Sequence, residues 1–304
     1  MDIVVLLLKQ NMVMFFYLIV GYIFFKKKLI GLQGSADMGK LLLYFIMPTA
    51  IMKSYLTEFS LDKLKGLLIS IIISLIALLL SIIISRFFFK KQEGVERFGV
   101  AFSNAGFIGI PMVQMTLGET AVFYVASFVA ALNILQWTYG ALVMSGDRSA
   151  VSFKRISTNP IVISFLAGMI LFLTPIALPD TLLNMTAVVA SMNGPIAMII
   201  LGIYLAQIQI KDLFTEKTVY KASAIRLILI PIATIIIMML FPNEYKTVKL
   251  ALLIAASAPI GSNVAIFAQL YHQEYTRAVK EVCMSTLFCI VSLPIIIGIA
   301  NYLF

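Results

Sequence analysis

Ten runs of predominantly apolar residues, each long enough to cross a lipid bilayer, make up almost the whole sequence. Only short connections separate them. Because backbone polar groups need partners inside a membrane, runs of this kind form helices. The sequence therefore predicts an all-α membrane protein with ten transmembrane helices, named spans 1 to 10 in order: 3–25, 39–57, 65–89, 96–117, 119–145, 157–177, 181–208, 219–241, 246–271 and 275–303.

Lysine and arginine residues indicate the orientation. The chain has 304 residues, of which 12% are charged, and a formal net charge of +9. Most of the basic residues lie in or beside the connections that follow spans 1, 3, 5, 7 and 9, and such connections stay on the cytoplasmic side. We therefore expect a multi-pass protein of the cytoplasmic membrane with both termini outside the cytoplasm. Because the bases follow this topology rule, we expect no nucleic acid as a partner.

Two of the runs contain residues that interrupt a helix near their middle. Span 4 carries SNAGFIGIP at 103–111, and span 9 carries ASAPIGSN at 256–263. Helices broken at membrane depth are tolerated where they line a polar cavity, and they mark substrate sites in secondary transporters. We expect the two breaks to cross. The half-helices that begin after Pro111 and Gly261 would direct positive dipole ends at an anion, and those that end near Asn104 and Ala258 would present carbonyls.

Motifs recur in the same order in both halves of the chain. Span 2 and span 7 each place a proline, Pro48 or Pro195, two residues before an alanine, and spans 4 and 9 carry the breaks. Five spans per half reverse the topology of the second half. This pattern predicts an inverted five-plus-five repeat, with a first repeat at 1–146 and a second at 147–304.

The residue types in the breaks suit an anion site. Amides can donate and accept hydrogen bonds, serine hydroxyls add donors, glycines permit close backbone approach, and prolines remove donors that would need partners. The candidate substrate-binding residues are Asn104, Gly106, Gly109, Pro111, Pro259, Gly261, Ser262 and Asn263, with Ser103 and Ser257 beside them. No Asp or Glu lies between Phe98 and Gly118 or between Leu250 and Tyr271, which disfavours coupling through a buried aspartate at the breaks.

Several of these motifs together resemble the auxin efflux carrier family. They are SNAGFIGIP, the LP at 178–179, GPIAMIILGIYLA from Gly194, and ASAPIGSN. That family joins plant PIN-FORMED auxin carriers to bacterial permeases for malate, malonate and similar acids, and the short connection between spans 5 and 6 is similar to the bacterial branch. The resemblance implies a fold related to bile-acid and sodium/proton carriers. Spans 1, 2, 6 and 7 would form a scaffold, and spans 3, 4, 5, 8, 9 and 10 a transport unit that moves an organic anion by an elevator-type movement.

The same resemblance implies which residues meet the substrate. It places Asn104, Pro111, Pro259 and Asn263 in the site, with span 2 and span 7 residues beside Pro48 and Pro195, including Asn193, facing it. Relatives in the family are often dimers through the scaffold, so a homodimer is implied.

Three ionisable residues near the predicted helices have open roles. Arg226 in span 8 either extends to the cytoplasmic interface or attracts the substrate anion. Glu281 in span 10 either pairs with Arg277, four residues earlier, or takes part in gating or proton coupling. His272 is expected at the surface.

These observations predict a secondary transporter for a small organic anion such as malate, malonate or an auxin-like acid, with a proton or sodium as a possible coupling ion. No cofactor or metal is expected. Alternatives are a sodium-coupled bile-acid-like symporter, a proton-coupled exchanger, or a carrier-like membrane sensor, for which a soluble effector domain would be expected. An intramembrane enzyme would need paired acids, a metal cluster or a Ser/His arrangement at depth, so no enzyme is expected.

Overall fold

The computed structural model describes residues 3–174 and 179–304, and this part of the chain is helical throughout apart from its connections and breaks. Twelve helices of the described residues are numbered in chain order: α1 (Ile3–Lys26), α2 (32–55), α3 (Leu61–Phe88), α4 (Gly94–Ala101), α5 (Ala105–Leu117), α6 (Glu119–Ser145), α7 (Pro160–Leu173), α8 (Asp180–Gln207), α9 (Lys217–Met238), α10 (Lys246–Ser257), α11 (Asn263–Leu270) and α12 (Tyr275–Leu303). Short helical turns at Arg148–Ala150, Phe153–Ser157, Ile210–Leu213 and Asn243–Tyr245 lie in the connections.

Six of the described helices are long and apolar enough to cross a membrane, or seven if the bent pair Arg148–Ser157 and Pro160–Leu173 is one span. Spans 4 and 9 fall short because each is divided, into α4 and α5 and into α10 and α11. The all-α membrane protein is confirmed, and the number of ten spans stays a prediction. The last residues of predicted span 6, 175–177, and Leu178 of the LP motif lie outside the described residues.

Helices from the two halves of the chain pack against each other. α1 lies along the second part of α8, Asn193–Gln207, and a Cβ on Gly202 would lie only 2.0 Å from the carbonyl oxygen of Leu18. Small residues of this kind let membrane helices approach closely. The last part of α2, Met47–Tyr55, packs on α7 and on the first part of α8.

The remaining helices form a second group of contacts. α3 packs on α6, α9 packs on α12, and α10 packs on both α6 and the first turn of α5. Some buried polar side chains in this group pair across helices, as where Ser70 Oγ of α3 lies 3.0 Å from Ser127 Oγ of α6. The opposite face of α3 exposes a stripe of apolar side chains suited to lipid: Leu68, Ile72, Leu75, Leu79 and Ile83.

Three helices contain a widened π-type turn shortly before a proline. The turns Leu42–Ile46, Ala105–Gly109 and Ile225–Leu229 end two residues before Pro48, Pro111 and Pro231. Proline has no N–H to donate and its ring crowds the preceding turn, so a wider turn accommodates it. The helices therefore continue past these prolines.

Candidate functional site

The two breaks meet in the interior of the protein. Ser103 and Ile260 form an isolated antiparallel β-bridge. The backbone N–H of Asn104 donates to the carbonyl of Pro259 at 2.7 Å, and that of Gly261 donates to the carbonyl of Phe102 at 3.0 Å. Backbone groups that the helices release at the breaks therefore find partners in each other, as a membrane interior requires. The predicted interruption of both helices and their crossing are present in the structure.

The half-helices begin and end at slightly different residues from those expected in span 4. α4 ends at Ala101 rather than near Asn104, and α5 begins at Ala105 rather than after Pro111. The expectation for Pro111 was wrong because the π-type turn at Ala105–Gly109 carries the helix through the proline. In span 9, α10 ends at Ser257 and α11 begins at Asn263, close to the predicted positions.

A narrow cleft with a cavity volume of about 20 Å³ lies against the crossing. Its lining contains no charged residue. Two buried polar atoms in the lining, Ser103 Oγ and Asn104 Nδ2, have no hydrogen-bond partner among the described residues. Buried polar groups are normally paired, so these two atoms are free to donate to a ligand. The cleft is lined by Leu43, Met47, Ser103, Asn104, Gly106, Phe107, Val129, Leu132, Asn133, Gln136, Ile161, Gly261, Ser262 and Asn263.

The other predicted site residues lie on or behind this lining. Gly106, Gly261, Ser262 and Asn263 line the cleft directly. Gly109, in contrast, lies against the backbone of α10, where its added Cβ would come 3.2 Å from Ala255 Cα.

The prolines stand outside the lining. Pro111 packs against Gly194, which precedes Pro195. Pro259 takes part in the crossing through its carbonyl, which accepts from the N–H of Asn104. Pro48 follows Met47, whose methyl group contacts Gly106.

Amide side chains connect the breaks to neighbouring helices. Asn193 Nδ2 of α8 donates to the carbonyl of Gly106 at 3.0 Å, whereas its buried Oδ1 has no partner among the described residues. Asn263 Nδ2 donates to Gln136 Oε1 at 2.8 Å. Sequence reasoning missed Gln136 and also Asn133, because neither is part of an interrupted run. Their signal was their position: polar amides in an otherwise apolar helix, α6.

A second cleft, with a cavity volume of about 90 Å³, borders the first. Both clefts are lined by Leu43, Asn133, Ile161 and Asn263. The second cleft also touches Asn159 at the start of α7, next to the connection that contains Lys154 and Arg155. The second cleft therefore lies between the crossing and the start of α7.

Arg226 does not extend to the interface. It is 1% exposed, and its Nη1 donates to the carbonyl of Val100 at 3.0 Å. This carbonyl lies in the last turn of α4, where helix carbonyls have no partner of their own and the dipole favours a cation. The interfacial interpretation was wrong, because the guanidinium satisfies the end of a half-helix.

Glu281 does not pair with Arg277. Arg277 binds Glu96 at 3.1 Å and Glu274 at 2.9 Å, and Glu281, which is completely buried, has no partner on either oxygen among the described residues. The local pair was the wrong expectation because carboxylates from other elements occupy the arginine. His272 is exposed, as predicted. The described residues hold no cluster of three or more His, Cys, Asp or Glu suited to a metal ion.

Comparison with known families gives a match over nearly the whole chain. The family model described as membrane transport protein matches residues 7–153 and 149–297, so it covers nearly the whole sequence. This family includes auxin efflux carriers and PIN-like permeases, so the resemblance is confirmed at that level. No curated protein matches the sequence.

Proposed function

The chain belongs to the membrane transport protein family, and from this premise we propose that it is a secondary carrier for a small organic anion. The observation that carries the proposal is the cleft at the crossing of the two breaks. There Ser103 Oγ and Asn104 Nδ2 are buried without partners among the described residues. Both atoms can donate hydrogen bonds, and a carboxylate accepts them.

The electrostatics of the crossing favour a negative ligand. α5 and α11 both begin at the breaks, and the first turn of a helix presents N–H groups that have no partner within the helix. Their dipoles add partial positive charge at the same place. No acidic side chain lines the cleft to oppose an anion. Malate, malonate or an auxin-like acid would fit this chemistry.

The architecture that best accounts for these contacts is the inverted repeat of ten spans, with α4 and α5 forming span 4 and α10 and α11 forming span 9. The contacts of α1 and α2 with α7 and α8 support a scaffold of spans 1, 2, 6 and 7. The remaining helices would be the transport unit, which would move past the scaffold in an elevator-type step. A homodimer through the scaffold remains part of the proposal.

The proposal also assigns a conformation. The second cleft leads from the crossing toward the connection with Lys154 and Arg155, which the distribution of basic residues places on the cytoplasmic side. The described conformation would therefore face the cytoplasm, with both termini on the other side of the cytoplasmic membrane.

Transport by purified protein tests the proposal. Proteoliposomes would be tested with a panel of labelled dicarboxylates and indole acids. We expect saturable flux of at least one acid by the wild-type protein. Asn104→Ala should lose most of that flux, because it removes a buried donor from the cleft, and yet remain folded.

Asn184→Ala is the matched control, because Asn184 is an exposed amide on α8. It should transport at the wild-type rate. Equal flux in the Asn104→Ala and Asn184→Ala variants would contradict the assigned site, and no flux of any acid by the wild-type protein would contradict the assigned substrate class.

A further inference from the structure

Glu281 of α12 is a buried carboxyl group at the crossing that the anion cleft does not use. Its exposed fraction is 0%, and neither oxygen has a hydrogen-bond partner among the described residues. The carboxyl lies directly on the backbone of α4: a Cβ on Gly99 would be 2.7 Å from Glu281 Oε2 and 3.1 Å from Ile260 Cγ2. Glu281 therefore lies where the first half-helix meets the second break.

A chain of hydrogen bonds joins the same turn of α12 to the crossing. Ser285 Oγ donates to the carbonyl of Glu281 at 2.7 Å and accepts from the backbone N–H of Ile260 at 3.0 Å. Ile260 is in turn bridged to Ser103, which lines the cleft. A change in charge at Glu281 thus acts on backbone that also forms the anion site.

The charged groups around Glu281 leave its carboxyl without a cation. Those that face it are Glu96 of α4, Glu216 in the connection before α9, and Arg277 on its own helix, while the guanidinium of Arg226 on α9 is directed at Val100. Arg277 already binds three carboxylates, including those of Glu96 and Glu216. Burying an unpaired carboxylate among other carboxylates is far more costly than burying the neutral acid. This placement therefore favours the protonated form of the side chain.

From this placement we propose that Glu281 takes up the proton that travels with the substrate anion, a role that rests on the proposed function. One proton adds to a carboxylate oxygen and neutralises the side chain, and the anion then enters the cleft without a second buried negative charge beside it. Like charges disfavour each other, so proton and anion bind together and leave together. After release, the ionised side chain can turn to Arg277, one helical turn away.

The test compares two kinds of flux in proteoliposomes, with the acid that the panel identifies. Symport of one proton should let the wild-type protein accumulate acid up to about tenfold further for each unit of pH gradient, with the acidic side outside. Exchange of labelled for unlabelled acid needs no net proton movement. Glu281→Gln, which mimics the protonated acid, should therefore exchange within about twofold of wild type and lose the accumulation driven by the pH gradient.

Glu274→Gln is the matched control. Glu274 lies at the start of the same helix and binds Arg277, yet its side chain is 67% exposed. This variant should both exchange and accumulate. Accumulation by Glu281→Gln equal to that of wild type, no response of the wild type to the pH gradient, or loss of exchange by a folded Glu281→Gln protein would each overturn the assignment. In the first two cases the proposed anion carrier would stand.

A measurement on the wild-type protein alone covers the case in which the variant does not fold. At neutral pH and with the transported acid bound, infrared spectra should contain the carbonyl stretching band of an un-ionised carboxylic acid, because exposed carboxyl groups and those of the free acid are ionised there. Absence of that band would overturn the assignment. Failure of the wild type to move any acid would instead refute the proposed function, and the coupling role with it.

Discussion

Ser285 offers a direct measure of what the crossing contributes to stability. Its hydroxyl accepts from the backbone N–H of Ile260, a completely buried residue in the second break. In Ser285→Ala this N–H would have no partner and no access to water. Leaving a buried donor unpaired costs about 1–3 kcal/mol. We therefore expect the variant to lose that much free energy of unfolding.

Ser81→Ala is the matched comparison. Ser81 is equally buried in a membrane helix, and its hydroxyl donates to the carbonyl of Ala77 four residues earlier, as that of Ser285 does to Glu281. The carbonyl of Ala77 also accepts a hydrogen bond from the helix backbone. Removal of the Ser81 hydroxyl therefore leaves no group unpaired. The expected cost is below about 0.5 kcal/mol.

Equilibrium unfolding of both variants in mixed detergent micelles gives the two free energies. A difference of about 1 kcal/mol or more is the expected result. Equal destabilisation by Ser285→Ala and Ser81→Ala would refute the reasoning that the break depends on this side chain.

Two further predictions follow from close contacts in the structure. Asn193→Ala removes the donor to the carbonyl of Gly106. It should reduce anion flux in a transport assay and lower the free energy of unfolding by about 1–3 kcal/mol. Wild-type values in both measurements would contradict the contact. Gly202→Ala places a methyl group 2.0 Å from the Leu18 carbonyl and should force α1 and α8 apart at a cost of about 1–3 kcal/mol. The yield of monodisperse protein after heating should fall, and an unchanged yield would show that the helices are not in this contact.

The sequence was sufficient to predict the two breaks and several of the helices, although the helix of span 2, predicted from residue 39, begins at residue 32. Apolar runs bounded by charge predict α1, α3 and α12 with ends within a few residues, because the membrane demands a continuous helix over that length. Asn, Gly and Pro in the middle of such runs predict the interruptions at Asn104 and Pro259, since little else explains them.

The partners of individual side chains could not be predicted from the same patterns. Arg226 and Val100 are 126 residues apart, and their hydrogen bond depends on how α9 packs on α4. Glu281 stands four residues after Arg277, a spacing that favours a pair, but Glu96 competes for the arginine from a distant part of the chain. Sequence spacing shows which side chains of one helix can contact each other. Tertiary packing decides which of these side chains, or which from another helix, forms the ion pair.

Prolines show the same division between local and tertiary effects. A half-helix was expected to begin after Pro111, whereas it begins at Ala105 and runs through the proline by way of one widened turn. Gly106 lies in this wider turn, and its carbonyl accepts from Asn193 Nδ2 of α8. This hydrogen bond depends on the packing of α8 against the turn. A proline in a membrane helix therefore indicates irregular backbone, and its surroundings decide whether the helix breaks or bends.

A structure of the protein with the transported acid bound tests the central claim most directly. The account predicts that the two breaks remain in contact through Ser103 and Ile260. It also predicts that the carboxylate of the acid lies against Ser103 Oγ, Asn104 Nδ2 and the first turn of α5. An acid bound elsewhere in the protein, or two breaks that lie apart, would contradict it.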